Sequence, residues 1–287
     1  MSDHGRFDYS PIIDRPVRPL PGNARVGLWV SPNIEHFHWG KQAMSMTQMT
    51  TSLNPDVLNH SWRDYGARVG VWRVMEVLAK HNIRATAALN SEVCDEYPRI
   101  VEEGSKLGWE WAAHGPSNSM LFTGMPEDAE RPIIEGVVSR ITEATGARPR
   151  GWLGPALTET AQTLDLLAEA GIDYVMDWAN DELPYEMRTR SGGILSLPYT
   201  LEVGDIPIFL GTGQTGSAFY DVVVDQFDQL YEEGASRPRF LSIALHPFLI
   251  GHPHRARHLD RALAHIMSHD DVWVATGSEI TDWFRAG

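Results

Sequence analysis

The chain has 287 residues, of which 43% are hydrophobic and 22% charged, proportions that support a packed core and exclude a disordered chain. Its formal net charge of −14 argues against nucleic acid, whose phosphates need clustered Lys and Arg, and against anionic lipid surfaces. The lone cysteine, Cys94, excludes an intrachain disulfide, and no apolar run is long enough to cross a bilayer.

Residues 1–24 are rich in Pro, Arg and Asp, so they read as an extended arm that packs on the body of the protein or on a neighbouring subunit. Residues 25–287 read as one catalytic domain. The first strand, Val26-Gly-Leu-Trp-Val30, runs into Asn33-Ile-Glu35-His36, and a polar segment, 38–68, with Met44, Met46, Met49, Trp62 and Tyr65, reads as a loop over a site. Residues 69–81 place apolar side chains at helical spacing, 84–88 form a short strand and 97–107 a second helix. The cycle repeats with strand 109–113, helix 126–145, strand 151–153, helix 158–170 and strand 174–176, and Gly108, Gly146 and Gly171 follow three of the helices as left-handed caps. Residues 192–216 break the rhythm with two strand-like runs, Ile194-Leu-Ser-Leu-Pro and Ile206-Pro-Ile-Phe, between Gly-rich loops. Helix 219–233, strand 240–245, helix 255–268, strand 272–275 and helix 278–284 complete the chain. Repeated β-then-α order implies a parallel sheet covered by helices.

Chemistry concentrates where apolar runs end. Asn33 and Glu35 follow the first strand, His114-Gly-Pro-Ser-Asn118 follows Trp109-Glu-Trp-Ala-Ala113, and His246-Pro247 follows Phe240-Leu-Ser-Ile-Ala-Leu245. Strand ends are where α/β folds place their sites, so three such ends suggest one site. Burial there raises the pKa of a carboxyl and would make Glu35 a base near neutrality. His114 reads as a general acid or base or as a group that polarises a substrate carbonyl, with a hydrogen-bonded structural histidine as the bland alternative. Asn33 and Asn118 bring both donors and acceptors, which suit an amide, ureide or imide better than a metal. Trp152 and Trp178 read as aromatic walls for a ring, or equally as core, and Asp181 as a hydrogen-bond partner for a substrate N–H. The His254-x-x-x-His258 pair reads as a solvated helical face, and carboxylates around Cys94 make that thiol a poor nucleophile.

Together Asn33-x-Glu35, His114-x-x-x-Asn118, Arg150-Gly-Trp152 with Pro155, and Leu245-His246 resemble the pattern of the NodB-type polysaccharide deacetylase superfamily. That pattern is an Asp-x-Asp after the first strand, a His-x-x-x-His after the third, an Arg-Pro segment and a late Leu-His. The resemblance runs from about Arg25 to about Phe284 and implies a distorted (β/α) barrel. The family's zinc is held by the second Asp and both His, its first Asp is the base, its Arg orients a pocket carboxylate, and its late His protonates the leaving nitrogen or steadies the oxyanion. Carried over, these roles fall on Glu35, His114 and Asn118, on Asn33, on Arg150 and on His246. Asn33 cannot take a proton at neutral pH and an amide oxygen at Asn118 is a poor zinc ligand, so only Glu35 and His114 remain as good donors. Asn-x-Glu and the segment Asp181-Glu-Leu-Pro-Tyr185 resemble the metal-independent allantoinase branch.

The expectation is therefore a hydrolase of a non-peptide C–N bond that opens a small cyclic amide, ureide or imide without a metal. The alternatives are a zinc-dependent deacetylase of N-acetylated sugars that uses Glu35, His114 and a third ligand, and an inactive relative that binds a ligand only. The start Met1-Ser-Asp-His-Gly-Arg-Phe lacks the pattern of a secretory leader, which favours a cytoplasmic protein acting on a soluble metabolite, and a homo-oligomer is expected as well. No Gly-x-Gly-x-x-Gly or P-loop pattern supports a nucleotide cofactor.

Overall fold

A computed structural model describes residues 4–41 and 46–287. Met44 of the segment over the site lies outside them. A single nine-stranded sheet organises the chain. Its strands are β1 (Val26–Ile34), β2 (Thr86–Leu89), β3 (Glu110–Ala113), β4 (Gly151–Trp152), β5 (Tyr174–Val175), β6 (Tyr185–Thr189), β7 (Gly192–Ser196), β8 (Arg239–Leu245) and β9 (Val272–Val274). Their order is β6-β7-β5-β4-β3-β2-β1-β8, and β9 pairs with the start of β1. Every pairing is parallel except the β6–β7 hairpin. The sheet curls into the distorted (β/α) barrel that the alternation of elements implies.

Because both faces of a parallel sheet are covered, β1 is buried along its whole length, and its side chains still alternate between two cores. Leu28 and Val30 join the layer between sheet and helices, while Trp29 points into the barrel with Ala88, Ala112, Tyr174 and Phe240. The helices are α1 (Val57–Tyr65), α2 (Val71–Lys80), α3 (Val93–Glu96), α4 (Pro98–Lys106), α5 (Glu127–Thr145), α6 (Thr163–Glu169), α7 (Gly216–Glu233), α8 (Pro247–Ile250), α9 (Pro253–Ile266) and α10 (Gly277–Arg285). Gly108, Gly146 and Gly171 all adopt positive φ, the left-handed caps read from the sequence.

Two local expectations are corrected, and one strand was not foreseen. Within 38–68, residues 57–65 form α1, which Asp56 caps by accepting from the Asn59 N–H and which passes through a π-turn, Gly66–Gly70, into α2. Its buried face carries Asn59 and Arg63, so the apolar periodicity that reveals a helix is missing. The run Ile206-Pro-Ile-Phe enters a π-turn, Pro207–Gly211, because a short apolar run fits a buried turn as well as a strand. Edge strand β6 buries only Met187 and gave no clear alternation.

Described residues of the arm lie along their own barrel. Arg6 pairs with Asp165 at 2.9 Å, its carbonyl accepts from the Arg188 N–H at 2.7 Å, and the exposed edge of β6 is thereby covered. Opposite, the α1–α2 helix presses backbone to backbone on the turn after β8. A Cβ on Gly70 would stand 2.1 Å from the Pro247 carbonyl oxygen, and one on Gly66 2.8 Å from the Phe248 nitrogen. Those two glycines let Arg63 and the residue before Pro247 approach one point.

Candidate active site

Glu35, His114 and His246 each follow the carboxyl end of a strand, β1, β3 and β8, and the barrel brings them together. Glu35 Oε1 lies 3.6 Å from His114 Nε2 and 3.8 Å from His246 Nε2, and all three side chains are at least nine-tenths buried. The His114 Nδ1 is 2.6 Å from the Leu153 carbonyl oxygen, which can only accept, so Nδ1 carries a proton and Nε2, a bare acceptor whenever the ring is neutral, faces Glu35. His114 Nε2 and Glu35 Oε2 are buried with no hydrogen-bonding partner among the described residues. In the neutral form His114 is thus an acceptor at this point and cannot polarise a carbonyl, which narrows the roles read for it.

His246 is held differently. Asp205, fully buried, accepts from its backbone N–H at 2.6 Å and from Nδ1 at 2.7 Å. Burial lowers the His246 pKa, but the Asp205 carboxylate and then Glu35 more than reverse this, and the imidazole titrates above its ordinary value. Asp205 follows a Gly-rich loop and precedes the misread run, so only a carboxylate next to a predicted element boundary signalled it.

Burial would lift the Glu35 carboxyl, as expected, yet a hydrogen bond from His114 in its protonated form, with the charges of the His246 and His114 imidazoliums and the Arg63 guanidinium, outweighs it and holds Glu35 below the usual carboxylate range. The expectation of a base raised by burial is corrected by these neighbours, two of which the sequence had already placed beside it. Arg63 was not foreseen. It is buried against the faces of Phe37 and Phe248, 3.9 and 4.8 Å from the ring centres, and burial pulls its pKa down to about 10, still cationic at neutral pH.

A chain of amides fixes Asn118. The His36 N–H donates to Asn90 Oδ1 at 2.9 Å, so Asn90 Nδ2 faces outward and donates to the His114 carbonyl and, at 3.0 Å, to Asn118 Oδ1. Asn118 Nδ2 must then point the other way, and it donates to Glu35 Oε1. A backbone donor at one end therefore dictates which atom meets the carboxylate at the other. Zinc, which the family pattern implies, does not fit here, because the third position offers N–H instead of a lone pair and its oxygen is already engaged. Asn33 is equally committed: its Nδ2 lies 3.3 Å from the Leu245 carbonyl and 3.2 Å from the Tyr199 hydroxyl. A carboxylate at that position would face a carbonyl oxygen.

Four expected binding residues stand apart from this convergence. Arg150 precedes β4, at the opposite end of the sheet, and its guanidinium pairs with Asp173 at 2.6 Å and Asp282 at 2.7 Å. Trp152 is fully buried edge-on against Phe122 and is core. Trp178 packs on His4 and Phe7 of the arm and donates to Glu159 at 3.2 Å. Asp181 is held by Arg15 of the arm at 2.7 Å. A hollow of about 580 Å³ between arm and barrel is lined by Asp181 but by none of Glu35, His114 or His246. The space beside Asn33, Glu35, Phe37 and Arg63 measures about 20 Å³, close to the room that one water needs. Asp177 and Glu159 form a buried carboxyl pair. Burial and the Glu159 charge raise Asp177 well above the carboxylate range, and burial raises Glu159 to about 7 against a hydrogen bond from Asp177, so the two share a proton. Burial, helped by Asp95, pushes the Cys94 thiol up to about 11 and confirms it as unreactive.

Residues 59–175 match the polysaccharide deacetylase family model. A Schizosaccharomyces pombe (strain 972) protein provisionally named a polysaccharide deacetylase is 31% identical over 240 residues, 78% of this chain and 75% of its own length. The crystal structure of a Pseudomonas aeruginosa PAO1 protein with the same provisional name matches with TM-score 0.85 and 31% identity over 95% of both chains. That of PuuE allantoinase matches with TM-score 0.85 and 29% identity over 98% of both chains.

Proposed function

This chain belongs to the polysaccharide deacetylase family, hydrolases of carbon–nitrogen bonds, and within that family we propose that it opens a small cyclic amide, ureide or imide without a metal. The observation that carries the reading is the meeting of two buried, unmatched acceptors, Glu35 Oε2 and His114 Nε2, with an imidazole that Asp205 biases toward its cation. Glu35 and His114 accept the two O–H groups of the attacking water, and Glu35 takes one proton as the O–C bond forms. His246, protonated at Nε2, gives its proton to the ring nitrogen as the C–N bond breaks, and Arg63 offsets the Glu35 charge until the water proton arrives. Each proton transfer contributes on the order of 10²–10⁴ in rate. The allantoinase structure and the Pseudomonas aeruginosa structure match with the same TM-score of 0.85, so the preference for a ring rests on the site, where Asn118 has replaced a zinc ligand.

The test is a side-by-side assay. Ring opening in a panel of hydantoins, ureides and cyclic imides, measured after chelator treatment, should exceed acetate release from N-acetylglucosamine oligomers. Acetate release that needs added zinc, without ring opening, would establish the zinc deacetylase reading instead, and ligand binding with no turnover of either kind the inactive one.

A further inference from the structure

Beside the catalytic convergence a second cluster of ligating groups belongs to none of its steps. His36 and His38 continue the segment after β1, and Glu92 follows β2. His38 Nε2 hydrogen-bonds Glu92 Oε2, and His36 Nε2 lies 3.9 Å from the same oxygen. The donor atoms of the three residues lie within 4.8 Å of one another. All three side chains are partly buried, between 15% and 35% exposed, so an ion from solution can reach them.

Backbone bonds hold this cluster in place. The Asn118 N–H donates to the His36 carbonyl at 3.0 Å, the Glu92 N–H to the Pro116 carbonyl at 3.1 Å and the Ser91 N–H to the Gly115 carbonyl at 3.0 Å. The His38 N–H donates to the Ser119 hydroxyl at 2.9 Å. Three loops, after β1, β2 and β3, are thus sewn together around the cluster, which makes its donors preorganised instead of chance neighbours on a surface. By contrast, Asp228, His265 and His269 also come within 4.8 Å of one another, but Asp228 is 51% exposed and His269 spends Nδ1 on the His265 carbonyl.

We propose that His36, His38 and Glu92 form a binding site for one divalent transition-metal ion of the zinc class, at the mouth of the active site and distinct from its catalytic groups. Two imidazole nitrogens and one carboxylate oxygen are the donor set that zinc, cobalt and nickel take, with the fourth position left to water. A bound ion would give the ring nitrogens of both imidazoles a use for their lone pairs. Glu92 is two residues beyond Asn90, and His36 is next to Glu35, so a bound ion tightens the loop from which the amide chain to Glu35 starts.

The probe is cobalt, whose visible absorption reports its ligands, with zinc titrated by calorimetry into the chelator-treated full-length protein. The wild type should take up one equivalent with d–d bands of tetrahedral intensity, and its Tm should rise with added zinc. His38→Gln and Glu92→Gln should each weaken that equivalent by at least about 10-fold, the loss that even an outer partner of a metal ligand causes. Glu35→Gln and His265→Gln should leave it intact. Equal binding by wild type, His38→Gln and Glu92→Gln would overturn the proposal, as would its loss in Glu35→Gln, which would return the ion to the catalytic centre. Metal-free circular dichroism shows whether a variant is folded, and the two single variants test the same ion independently.

Discussion

The two ends of the same sheet use ionisable side chains in opposite ways. At the amino ends every buried or half-buried charge is matched: Arg150 by Asp173 and Asp282, Arg239 by Glu182, and Glu110 by the Tyr174 hydroxyl, the Thr86 hydroxyl and the Ser278 N–H at 2.9–3.0 Å. At the carboxyl ends, Glu35 Oε2 and His114 Nε2 are buried and left without a partner among the described residues, which a fold optimised for stability alone would not keep. The difference separates the part of the barrel that holds it together from the part that acts on something else. It also explains why Arg150 was misplaced: a residue before a strand belongs to the first end, whatever motif it resembles.

The comparison breaks most visibly at Glu35. Glu35→Gln keeps the shape and the bond from Asn118 by way of its amide oxygen, but loses the negative charge and the proton acceptor, so kcat should fall on the order of 10⁴ with the urea midpoint nearly unchanged. A variant that retains its turnover would remove Glu35 from the chemistry. The next largest effect belongs to Asp205. The carboxylate raises the His246 pKa against the pull of burial, so Asp205→Asn should lower it, deplete the imidazolium form at a lower pH and move the alkaline limb of kcat downward. At neutral pH the loss should be on the order of 10², the low end for a positioned proton donor. An unmoved alkaline limb would show that His246 is not the group that titrates there.

How much of this was legible follows the same division. The candidate trio of Glu35, His114 and His246 could be read because each member ends an apolar run, and strand ends converge in any curled parallel sheet. Arg63 could not, since it lies on the inward face of a helix whose buried side is polar, and Asn59 beside it removed the period that would have revealed the helix. Asp205 was hidden in the same manner by a π-turn that reads as a strand. Trp152 and Trp178 show the converse: aromatic residues near strand ends serve packing more often than binding, and here one fills the core and the other seats the arm. The lowered Glu35 carboxyl was out of reach because its sign depends on three neighbours at distances that no spacing encodes.

At the amino end the expected effects are smaller and fall on stability alone. Glu110 accepts bonds from three different elements, so Glu110→Gln, which turns two of its acceptor sites into donors facing donors, should cost about 2 kcal/mol. Chemical denaturation should show this with kcat unaltered. A fall in kcat at full saturation would erase the distinction between the two ends.

The smallest effect sharpens the boundary between them, at the carboxyl pair Glu159 and Asp177. Burial raises Glu159 to about 7 from an ordinary value of 4.5, so the folded protein keeps a proton that the unfolded chain has released. Stability from this group is fully present below about pH 4.5 and is lost as pH rises through 7, with a slope of at most about 1.4 kcal/mol per pH unit for one proton. In Glu159→Gln nothing titrates at that position, and the decline between pH 5 and 8 should flatten. His246 also loses stability with rising pH, because its folded pKa is raised too, and it remains in the variant. The measurement is therefore the difference between wild type and Glu159→Gln in denaturation free energy across that window. A difference that grows steadily with pH places the titration on Glu159, whereas a constant offset would assign the pH dependence to the raised groups that remain, Asp177 and His246.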